Sequence, residues 1–200
     1  MELSKEYNQK KEEIQQRINE FKSLNENEYI KEMVFCLLTP QSNAKKCWQA
    51  TEEIFNIKDK TRTNLKKILK GKTRFHNNKA EYVYEALKKW DEIKEKIRLH
   101  DSNIVELRNY LADNIKGYGL KEASHFLRNI GKSNNQIAIL DRHILNSLKS
   151  LNIIKNCKIK NKKDYFEIEK KFIEFSNKIN IPIDELDLLF WSSKTGEIFK

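Results

Sequence analysis

An all-α fold is predicted by three features of this 200-residue sequence. The chain contains only five glycines and two prolines, the residues that interrupt helices most strongly. Apolar residues recur at spacings of three and four along most of the chain, which is the periodicity of one helix face. The alternation of apolar and polar residues that marks a half-buried strand is nearly absent. We therefore expect roughly nine or ten helices.

The first half of the chain contains five predicted helices. Ile14, Ile18 and Phe21 share a helix face in the first of them. The second stops before Pro40, because the residue before a proline avoids helical backbone angles. Gly71 suits the C-terminal end of the fourth. The five are about residues 5–22, NEYIKEMVFCLLT, NAKKCWQATEEIF, LKKILKG and NKAEYVYEALKKW.

Five more helices are predicted in the second half, each with a local signal at one end. Asp101 and Asp141 are N-capping residues, and Pro182 suits the first turn of the last helix. Gly131 ends the helix that starts near Leu120. The five run from about 101 to Asn114, from Leu120 to Gly131, from Asp141 to about 151, from 164 to 179, and onward from Pro182.

The charge balance favours a nucleic-acid partner, and the sequence contains no segment typical of a signal peptide or a membrane span. Hydrophobic residues make up 38% and charged residues 34%, and the net charge is +10. Such a balance attracts polyanions, although a Lys-rich composition also follows from genome base composition. The charged start MELSKEYNQKKEE lacks the apolar core of a signal peptide, and no apolar run approaches the ~20 residues of a membrane span. We expect a soluble cytoplasmic protein.

The cysteines give no sign of a disulfide framework or a metal site. Cys36, Cys47 and Cys157 are an odd number, and none belongs to a Cys-x-x-Cys pair. Cys36 lies in the apolar run MVFCLL and is expected to be buried. We therefore expect no metal.

The segment KGYGLKEASHFLRNIG, residues 116–131, predicts a DNA-binding hairpin. Gly117 and Gly119 join two helices, permit backbone angles that other residues resist, and let a phosphate approach bare amides. The N-terminus of the following helix adds partial positive charge at the same place. This arrangement suits sequence-independent DNA binding. An ordinary turn between packed helices is the alternative.

Lys121 and Asp141 are the candidate reactive groups. Lys121 lies in the first turn of a helix, where an acid is the stabilising choice, so its position suggests a function. The chain has 39 lysines and arginines, however, and one lysine alone proves little. Asp141 follows the apolar tetrad Ile137–Leu140. Capping is a sufficient structural reason for it, and presentation of a carboxylate on a buried loop is the functional one.

These segments resemble the helix-hairpin-helix DNA glycosylases with a following catalytic aspartate, in particular the archaeal-type 8-oxoguanine DNA glycosylase/AP lyases. The stretch KGYGLKEASHFLRNIG…AILDRHIL is similar to the family signature almost residue for residue. FCLLTPQSNA, RFHNNKAEYV and ELDLLFWSSKTGEIFK extend the resemblance over most of the chain. The resemblance implies one domain, 1–200, built as a two-lobed helical bundle with a DNA cleft between the lobes and the helix-hairpin-helix at about 101–131.

The resemblance also implies a reaction. Lys121 would be the nucleophile that attacks C1′ of a flipped-out 8-oxoguanine nucleotide, and Asp141 the essential carboxylate. The resulting Schiff base would lead to β-elimination and strand cleavage 3′ to the abasic site. This base-excision repair needs no metal or organic cofactor, and its expected partner is double-stranded DNA containing 8-oxoguanine, bound by a monomer.

The base pocket and the DNA contacts are further implications of the resemblance. Trp191 would stack on the flipped purine, although packing is its ordinary role, and Phe75 would form a second face. Gln41 would fill the space that the base vacates, or be a solvated loop residue. His125 and His143 are phosphate contacts or structural histidines. The expected pocket residues are Phe75, Asp187, Trp191 and Lys200, and the expected DNA contacts are Gln41, Lys116, Gly117, Gly119, His125 and His143.

Some features depart from the family pattern, and three alternatives stay open. The loop GKSNNQIAILD, 131–141, is a couple of residues longer than expected, Pro40 and Gln41 are unexpected, and the wider superfamily's four-cysteine iron–sulfur motif is missing. The alternatives are the same chemistry on another oxidised base, a non-catalytic helix-hairpin-helix DNA-binding module, and a basic RNA-binding helical protein. Trp191 and Lys200 argue against an oxidised pyrimidine.

Overall fold

The structure is a computed structural model that describes residues 2–100 and 102–200, without the side chain of Glu2. Over these residues the chain forms eleven helices and no strand, which confirms the all-α prediction. The helices are α1 (Glu2–Ser23), α2 (Glu26–Leu38), α3 (Ala44–Asn56), α4 (Arg62–Leu69), α5 (His76–Lys88), α6 (Trp90–Leu99), α7 (Ile104–Asn114), α8 (Leu120–Asn129), α9 (Arg142–Ser150), α10 (Lys162–Ile179) and α11 (Ile183–Thr195).

The chain divides into two compact units. The central unit comprises Leu24–Phe126, and the terminal unit comprises the chain up to Ser23 together with Leu127–Lys200. The division falls within α8, which is continuous through it.

The central unit is built around α2. Because the C-terminal half of this helix, residues 33–38, is apolar on every side, it lies in the interior, where Met33, Val34, Phe35 and Leu38 are fully buried. Helices α3 and α5 pack on α2, and α4 packs on α5. A capping box at Asn25 satisfies amides at the start of α2.

The terminal unit is built around α11. This helix is buried along most of its length, and α1, α9 and α10 pack on it. Phe172 of α10 stacks on Phe190 of α11 with ring centroids 5.9 Å apart. Tyr7 of α1 donates a hydrogen bond of 2.5 Å to the Glu185 carboxylate at the start of α11. The N-terminal helix and the C-terminal helix therefore share one core.

Most predicted helix ends are confirmed. Helix α2 ends at Leu38, two residues before Pro40, and α11 begins directly after Pro182. Gly71 follows the C-cap of α4 with a left-handed φ of 77°. Each of these signals is local, because it depends on the backbone angles of one or two residues.

The expected number of helices was too low by at least one, because α6 was not predicted. A single residue, Lys89, separates α5 from α6, so the predicted helix NKAEYVYEALKKW runs past the end of α5 to the first residue of α6, Trp90. Ile93 and Ile97, four residues apart, are the buried side of α6. The predicted cap Asp101 lies outside the described residues, and Asn103 caps α7 by accepting a hydrogen bond of 3.2 Å from the Glu106 amide.

None of the helices in the described part of the chain is long and apolar enough to cross a membrane. The same residues contain no group of three or more His, Cys, Asp or Glu side chains placed to hold a metal ion. Cys36 is fully buried, as predicted, and none of Cys36, Cys47 and Cys157 forms a disulfide.

Candidate active site

The predicted hairpin joins α7 to α8 in the central unit. Helix α7 ends at Asn114 and α8 begins at Leu120, as predicted. The Tyr118 amide donates to the Ile115 carbonyl at 3.0 Å, which closes the turn. The Tyr118 hydroxyl then donates to the Met33 carbonyl of α2 at 2.9 Å. The hairpin is thus anchored in the core of the central unit, while Lys116 and Gly117 are exposed on its surface.

Glycine is needed at the two hairpin positions, 117 and 119, for different structural reasons. Gly117 has a φ of 94°, and a Cβ atom there would lie 2.4 Å from Cδ2 of Tyr82. Gly119 does not have a positive φ, so the expected need for unusual backbone angles at this position was wrong. Its amide is not bare either, because it donates to Oε2 of Glu122 at 3.1 Å. Glycine at 119 provides room, since a Cβ atom would lie 3.3 Å from that oxygen.

Lys121 lies in the first turn of α8 and is partly exposed. Its Nζ is 3.1 Å from Oε1 of Glu122, whose other oxygen accepts the Gly119 amide. A lysine at this position opposes the helix dipole, and the Glu122 carboxylate offsets that cost. Glu122 therefore holds both the hairpin backbone and the candidate nucleophile. Sequence reasoning missed it, although an acidic residue three positions after Gly119 is a recognisable capping signal.

We expect Gly117→Ala to destabilise the protein more than Gly71→Ala does. Both positions have left-handed φ angles, so both substitutions incur backbone strain of about 1–2 kcal/mol. Only at Gly117 does the new methyl group also meet a ring, that of Tyr82, because a Cβ atom at Gly71 would have no neighbour within 4 Å. The midpoints of thermal unfolding by circular dichroism measure the difference. Equal midpoints for the two variants would contradict the role of Tyr82.

Gln41 and Phe75, two residues expected to meet DNA, are both exposed in the central unit. Gln41 has a φ of 54° and Phe75 a φ of 58°, so each is a non-glycine residue in the left-handed region. Phe75 is 51% exposed, an unusual fraction for a large aromatic side chain, and the Arg74 guanidinium lies 5.0 Å from its ring centroid. These positions suit contact with a ligand better than packing.

His125 is placed differently from the other expected DNA contacts. It is buried in the central unit, and its ring meets Phe35 edge-on with centroids 5.7 Å apart. Of the two roles considered for His125, this position favours the structural one. Lys116 is exposed, with its Nζ 5.9 Å from the Tyr82 ring centroid, and is accessible to a phosphate.

Asp141 belongs to the terminal unit and caps α9, as predicted. Its Oδ1 accepts the Ile144 amide at 2.8 Å, and its side chain is partly exposed. His143 lies in the first turn of the same helix and is also partly exposed. The cap fixes the orientation of the carboxylate, which is one requirement for an electrostatic role in catalysis.

The extended segment before Asp141 is held by α10. The Tyr165 hydroxyl donates to the Ala138 carbonyl at 2.7 Å, and Glu169 accepts the Ala138 amide at 2.8 Å. These two side chains supply the partners that a buried backbone needs outside regular structure. Sequence reasoning missed both, because they lie 27 and 31 residues away from Ala138.

The long loop after α8 is held by the start of α11. The Ser133 hydroxyl donates to the Asp184 carboxylate, and the Asp184 amide donates to Oδ1 of Asn135 at 3.2 Å. Asn134 and Asn135 both have left-handed φ angles, of 49° and 58°, which asparagine tolerates better than most residues. Burial raises the pKa of Asp184, and the Ser133 hydrogen bond opposes that shift. The additional residues of this loop therefore form an anchored turn.

Three of the expected pocket residues lie in the terminal unit. Asp187 is buried on α11, with Oδ2 3.3 Å from Nη2 of Arg128. Arg128 and Lys200 both face the ring of Phe21, at 5.0 Å and 5.9 Å from its centroid. Arg128 therefore connects Asp187 to Phe21, on which Lys200 also lies. Sequence reasoning did not assign Phe21 or Arg128 to the pocket.

Trp191 lies one turn after Asp187 on α11. Its ring stacks on Phe199 with centroids 6.5 Å apart and planes inclined by 30°, and it is partly exposed. The Trp191 ring is therefore packed against Phe199 and still partly exposed to solvent. The side chain has a rigid support on one side and remains accessible to a ligand.

The match to known proteins covers most of the chain. Residues 14–181 match the family model described as 8-oxoguanine DNA glycosylase. The chain belongs to the 8-oxoguanine DNA glycosylase family. An 8-oxoguanine DNA glycosylase/AP lyase from Fusobacterium nucleatum is 40% identical over 221 residues, which cover 100% of this chain and 96% of the relative. The one from Methanocaldococcus jannaschii is 37% identical, over 94% of this chain and 91% of its own.

Solved structures of this glycosylase family have the same fold. The Thermotoga maritima 8-oxoguanine DNA glycosylase matches with a TM-score of 0.88 and 30% identity, over 100% of this chain and 97% of its own. The Methanocaldococcus jannaschii 8-oxoguanine glycosylase/lyase, in complex with a 15mer DNA containing 8-oxoguanine, matches with a TM-score of 0.85 and 34% identity over both full chains.

In this member of the glycosylase family, the predicted residues fall into local groups. The central unit brings Lys121 and Gly119 together through Glu122, and it exposes Gln41, Phe75 and Lys116. The terminal unit brings Asp187 and Lys200 to Phe21 and Arg128, orients Asp141, and supports Trp191 on Phe199.

Proposed function

We propose that this chain excises 8-oxoguanine from double-stranded DNA and cleaves the strand, with Lys121 as the nucleophile and Asp141 as the essential carboxylate. As a member of the 8-oxoguanine DNA glycosylase family it is a base-excision repair enzyme, both DNA glycosylase and AP lyase. The observation that carries the assignment of the nucleophile is a partly exposed amine in the first turn of α8, directly after an exposed hairpin.

The substrate nucleotide must leave the duplex, because base stacking hides the glycosidic carbon. The Lys121 amine attacks C1′, the C1′–N9 bond breaks, and the bonding electrons leave with the base. The amine must be neutral to attack. Contact with Glu122 holds the side chain in place before the reaction, and that contact is given up as Nζ moves to the sugar.

Asp141 stabilises the positive charge that develops on the sugar and takes the proton released by the lysine amine. Its Oδ1 is engaged by the Ile144 amide, so we assign these tasks to Oδ2. A carboxylate fixed by a helix cap needs little reorganisation during the reaction, which makes its electrostatic contribution larger.

The Schiff base then leads to strand cleavage. The C1′–O4′ bond breaks, O4′ takes the proton that Asp141 received, and C1′ becomes double-bonded to Nζ of Lys121. This iminium makes a C2′ proton acidic. The Asp141 carboxylate takes that proton, the C3′–O bond breaks, and the 3′ phosphate leaves with the bonding electrons. Hydrolysis of the imine returns Lys121. An amine and a carboxylate suffice for each step, so we propose no metal or organic cofactor.

For the base pocket, we propose that Trp191 and Phe75 stack on the flipped base, and that Asp187 and Lys200 form polar contacts with it. Trp191 is supported from behind by Phe199, and Phe75 is exposed enough to be covered by a ligand. 8-Oxoguanine differs from guanine by an N7–H donor and an O8 acceptor. A buried acceptor that faces N7–H discriminates between them, because guanine would leave it opposite a lone pair.

For DNA binding, we propose that Gln41 occupies the space of the extruded base. The hairpin at Lys116, Gly117 and Gly119, together with His143, binds the phosphate backbone, while the buried His125 packs on Phe35 of α2. The net charge of +10 assists this binding without reading sequence. The site of action is DNA inside the cell, and the acting form is a monomer.

The proposal is tested with three 5′-labelled duplexes that carry 8-oxoguanine, a preformed abasic site or unmodified guanine at one position. We expect cleavage and borohydride-trapped complexes with the first two and neither with the third. Cleavage of the abasic duplex alone would support the AP lyase activity and would reject 8-oxoguanine as the substrate of the glycosylase step. Binding without cleavage of any duplex would leave a DNA-binding module, and equal affinity for RNA would reject specific DNA recognition.

A further inference from the structure

A buried lysine of the central unit is not used by the reaction proposed above. Lys79 of α5 is 3% exposed, and its Nζ donates to the Leu38 carbonyl at 2.7 Å, the Pro40 carbonyl at 2.8 Å and Oγ of Ser42 at 2.9 Å. An ammonium group has three N–H donors and no acceptor, so these three oxygens match its capacity. All three belong to the end of α2 and the segment that leads to α3.

Ser42 links this segment to a second one. Its Oγ also accepts the Arg74 backbone amide at 2.9 Å, in the connection between α4 and α5. The Ser42 hydroxyl thus joins the α2–α3 segment to the α4–α5 connection. The buried Lys79 donates a hydrogen bond to the same hydroxyl oxygen. Gln41 directly precedes Ser42 in the chain, and Phe75 directly follows Arg74.

Gln41 and Phe75 are the two exposed residues of these segments with left-handed backbone angles. Such conformations are unfavourable for residues with a Cβ atom and persist where the surrounding structure imposes them. Lys79 donates to Pro40 and Ser42, the two residues that flank Gln41, and so restrains the chain on both sides of it. Ser42 accepts the amide of Arg74 and so restrains the residue directly before Phe75. The same two side chains, Ser42 and Lys79, therefore restrain the backbone at both left-handed positions.

We propose that Lys79 and Ser42 are positioning residues that couple the Gln41 segment to the Phe75 turn, so that both side chains reach the lesion in one fixed arrangement. This inference rests on the proposed function, because it assigns Gln41 and Phe75 to the extruded nucleotide. Neither Lys79 nor Ser42 touches the reacting atoms.

The charge state of Lys79 is compatible with this role. Burial lowers the pKa of Lys79 to about 8, Cys47 opposes the shift, the positive charge of Lys121 adds to it, and Glu122 opposes it. At pH 7 the ammonium form therefore predominates, and all three donors are present. We choose pH 7 for the test for this reason.

The test compares Ser42→Ala and Lys79→Met with matched controls. Ser150→Ala removes an exposed hydroxyl that donates to the Ser147 carbonyl at 2.8 Å, and Lys60→Met removes an ammonium that donates to the Ile57 carbonyl at 2.8 Å. Hydrogen exchange of the free proteins at pH 7 reports the coupling directly. We expect Ser42→Ala to accelerate exchange in residues 39–43 and also in 73–76, while the controls change neither segment.

Single-turnover excision at saturating enzyme measures the consequence for the reaction. We expect Ser42→Ala and Lys79→Met to lose about 10- to 100-fold in 8-oxoguanine excision, since misplacement by about 1 Å has effects of this size. Borohydride trapping on a preformed abasic site should stay at the wild-type level, because no base has to be positioned there.

The outcomes separate this inference from the proposed function. Faster exchange in only one of the two segments, or wild-type excision by Ser42→Ala, would overturn the coupling while leaving the glycosylase assignment intact. Absence of excision by the wild type would overturn the proposed function, and the exchange experiment would still decide whether the two segments are coupled. If Lys79→Met does not fold, Ser42→Ala decides alone, because it removes one oxygen from a half-exposed side chain.

Discussion

Lys121→Gln is expected to abolish borohydride trapping on both 8-oxoguanine and abasic DNA, and to lower excision by roughly four orders of magnitude or more. Glutamine has similar length but cannot form a Schiff base, so the covalent intermediate disappears. The lost contact with Glu122 is partly exposed, and surface ion pairs contribute about 0–1 kcal/mol, so the fold should remain stable. Trapping gels and single-turnover assays measure both effects.

The control for this substitution is Lys60→Gln, which removes one positive charge elsewhere in the central unit. It should leave trapping unchanged, and a shared loss in both variants would indicate weaker DNA binding instead. A trapped complex that persists in Lys121→Gln would contradict the assignment of the nucleophile. Peptide mapping of that complex would then identify the reacting amine.

Asp141→Asn is expected to lower excision by about 10²- to 10³-fold, the size of effect found when one preorganised electrostatic group is removed. Asparagine caps a helix about as well as aspartate, so α9 and its stability should be preserved. The substitution removes the negative charge and leaves the hydrogen bond to the Ile144 amide possible. Single-turnover excision and the thermal midpoint, measured on the same preparation, separate chemistry from folding.

Asp141→Ala is the matched comparison, because it removes the charge and the cap together. It should lose activity to a similar degree and also about 0.5–2 kcal/mol of stability. If Asp141→Asn excised 8-oxoguanine at the wild-type rate, Asp141 would be a capping residue only, and the carboxylate of the reaction would have to be sought elsewhere.

The positions of the helix ends around the candidate site follow from the sequence. The stop before Pro40, the turn at Gly117, the cap at Asp141 and the start after Pro182 each depend on backbone angles or hydrogen bonds within about four residues, so neighbouring residues determine them. The resemblance of KGYGLKEASHFLRNIG…AILDRHIL to a family also resides in the sequence, and the family match over residues 14–181 confirms it.

The chemical surroundings of the site depend on the tertiary structure. Glu122 uses one carboxylate oxygen for the Gly119 amide and the other for Lys121. The conformation of the turn decides this, and the spacing of Gly119 and Glu122 in the sequence indicates only the first of the two contacts. The role of Lys79 could not be predicted, because its three acceptors are 37 to 41 residues away. A lysine in a basic chain is ordinarily solvated, and only packing of α5 against α2 buries this one.

The same distinction applies to the terminal unit. The cap at Asp141 is a local signal, but the segment that leads to it is held by Tyr165 and Glu169 of α10, and Asp187 meets Arg128 across 59 positions of sequence. The sequence by itself determined most of the helix ends, though not the boundary between α5 and α6, and it determined which family the chain belongs to, since those depend on short-range hydrogen bonds and on residue identity. The tertiary structure decided which polar side chains are buried and which partners satisfy them, because burial is set by helices that are distant in sequence.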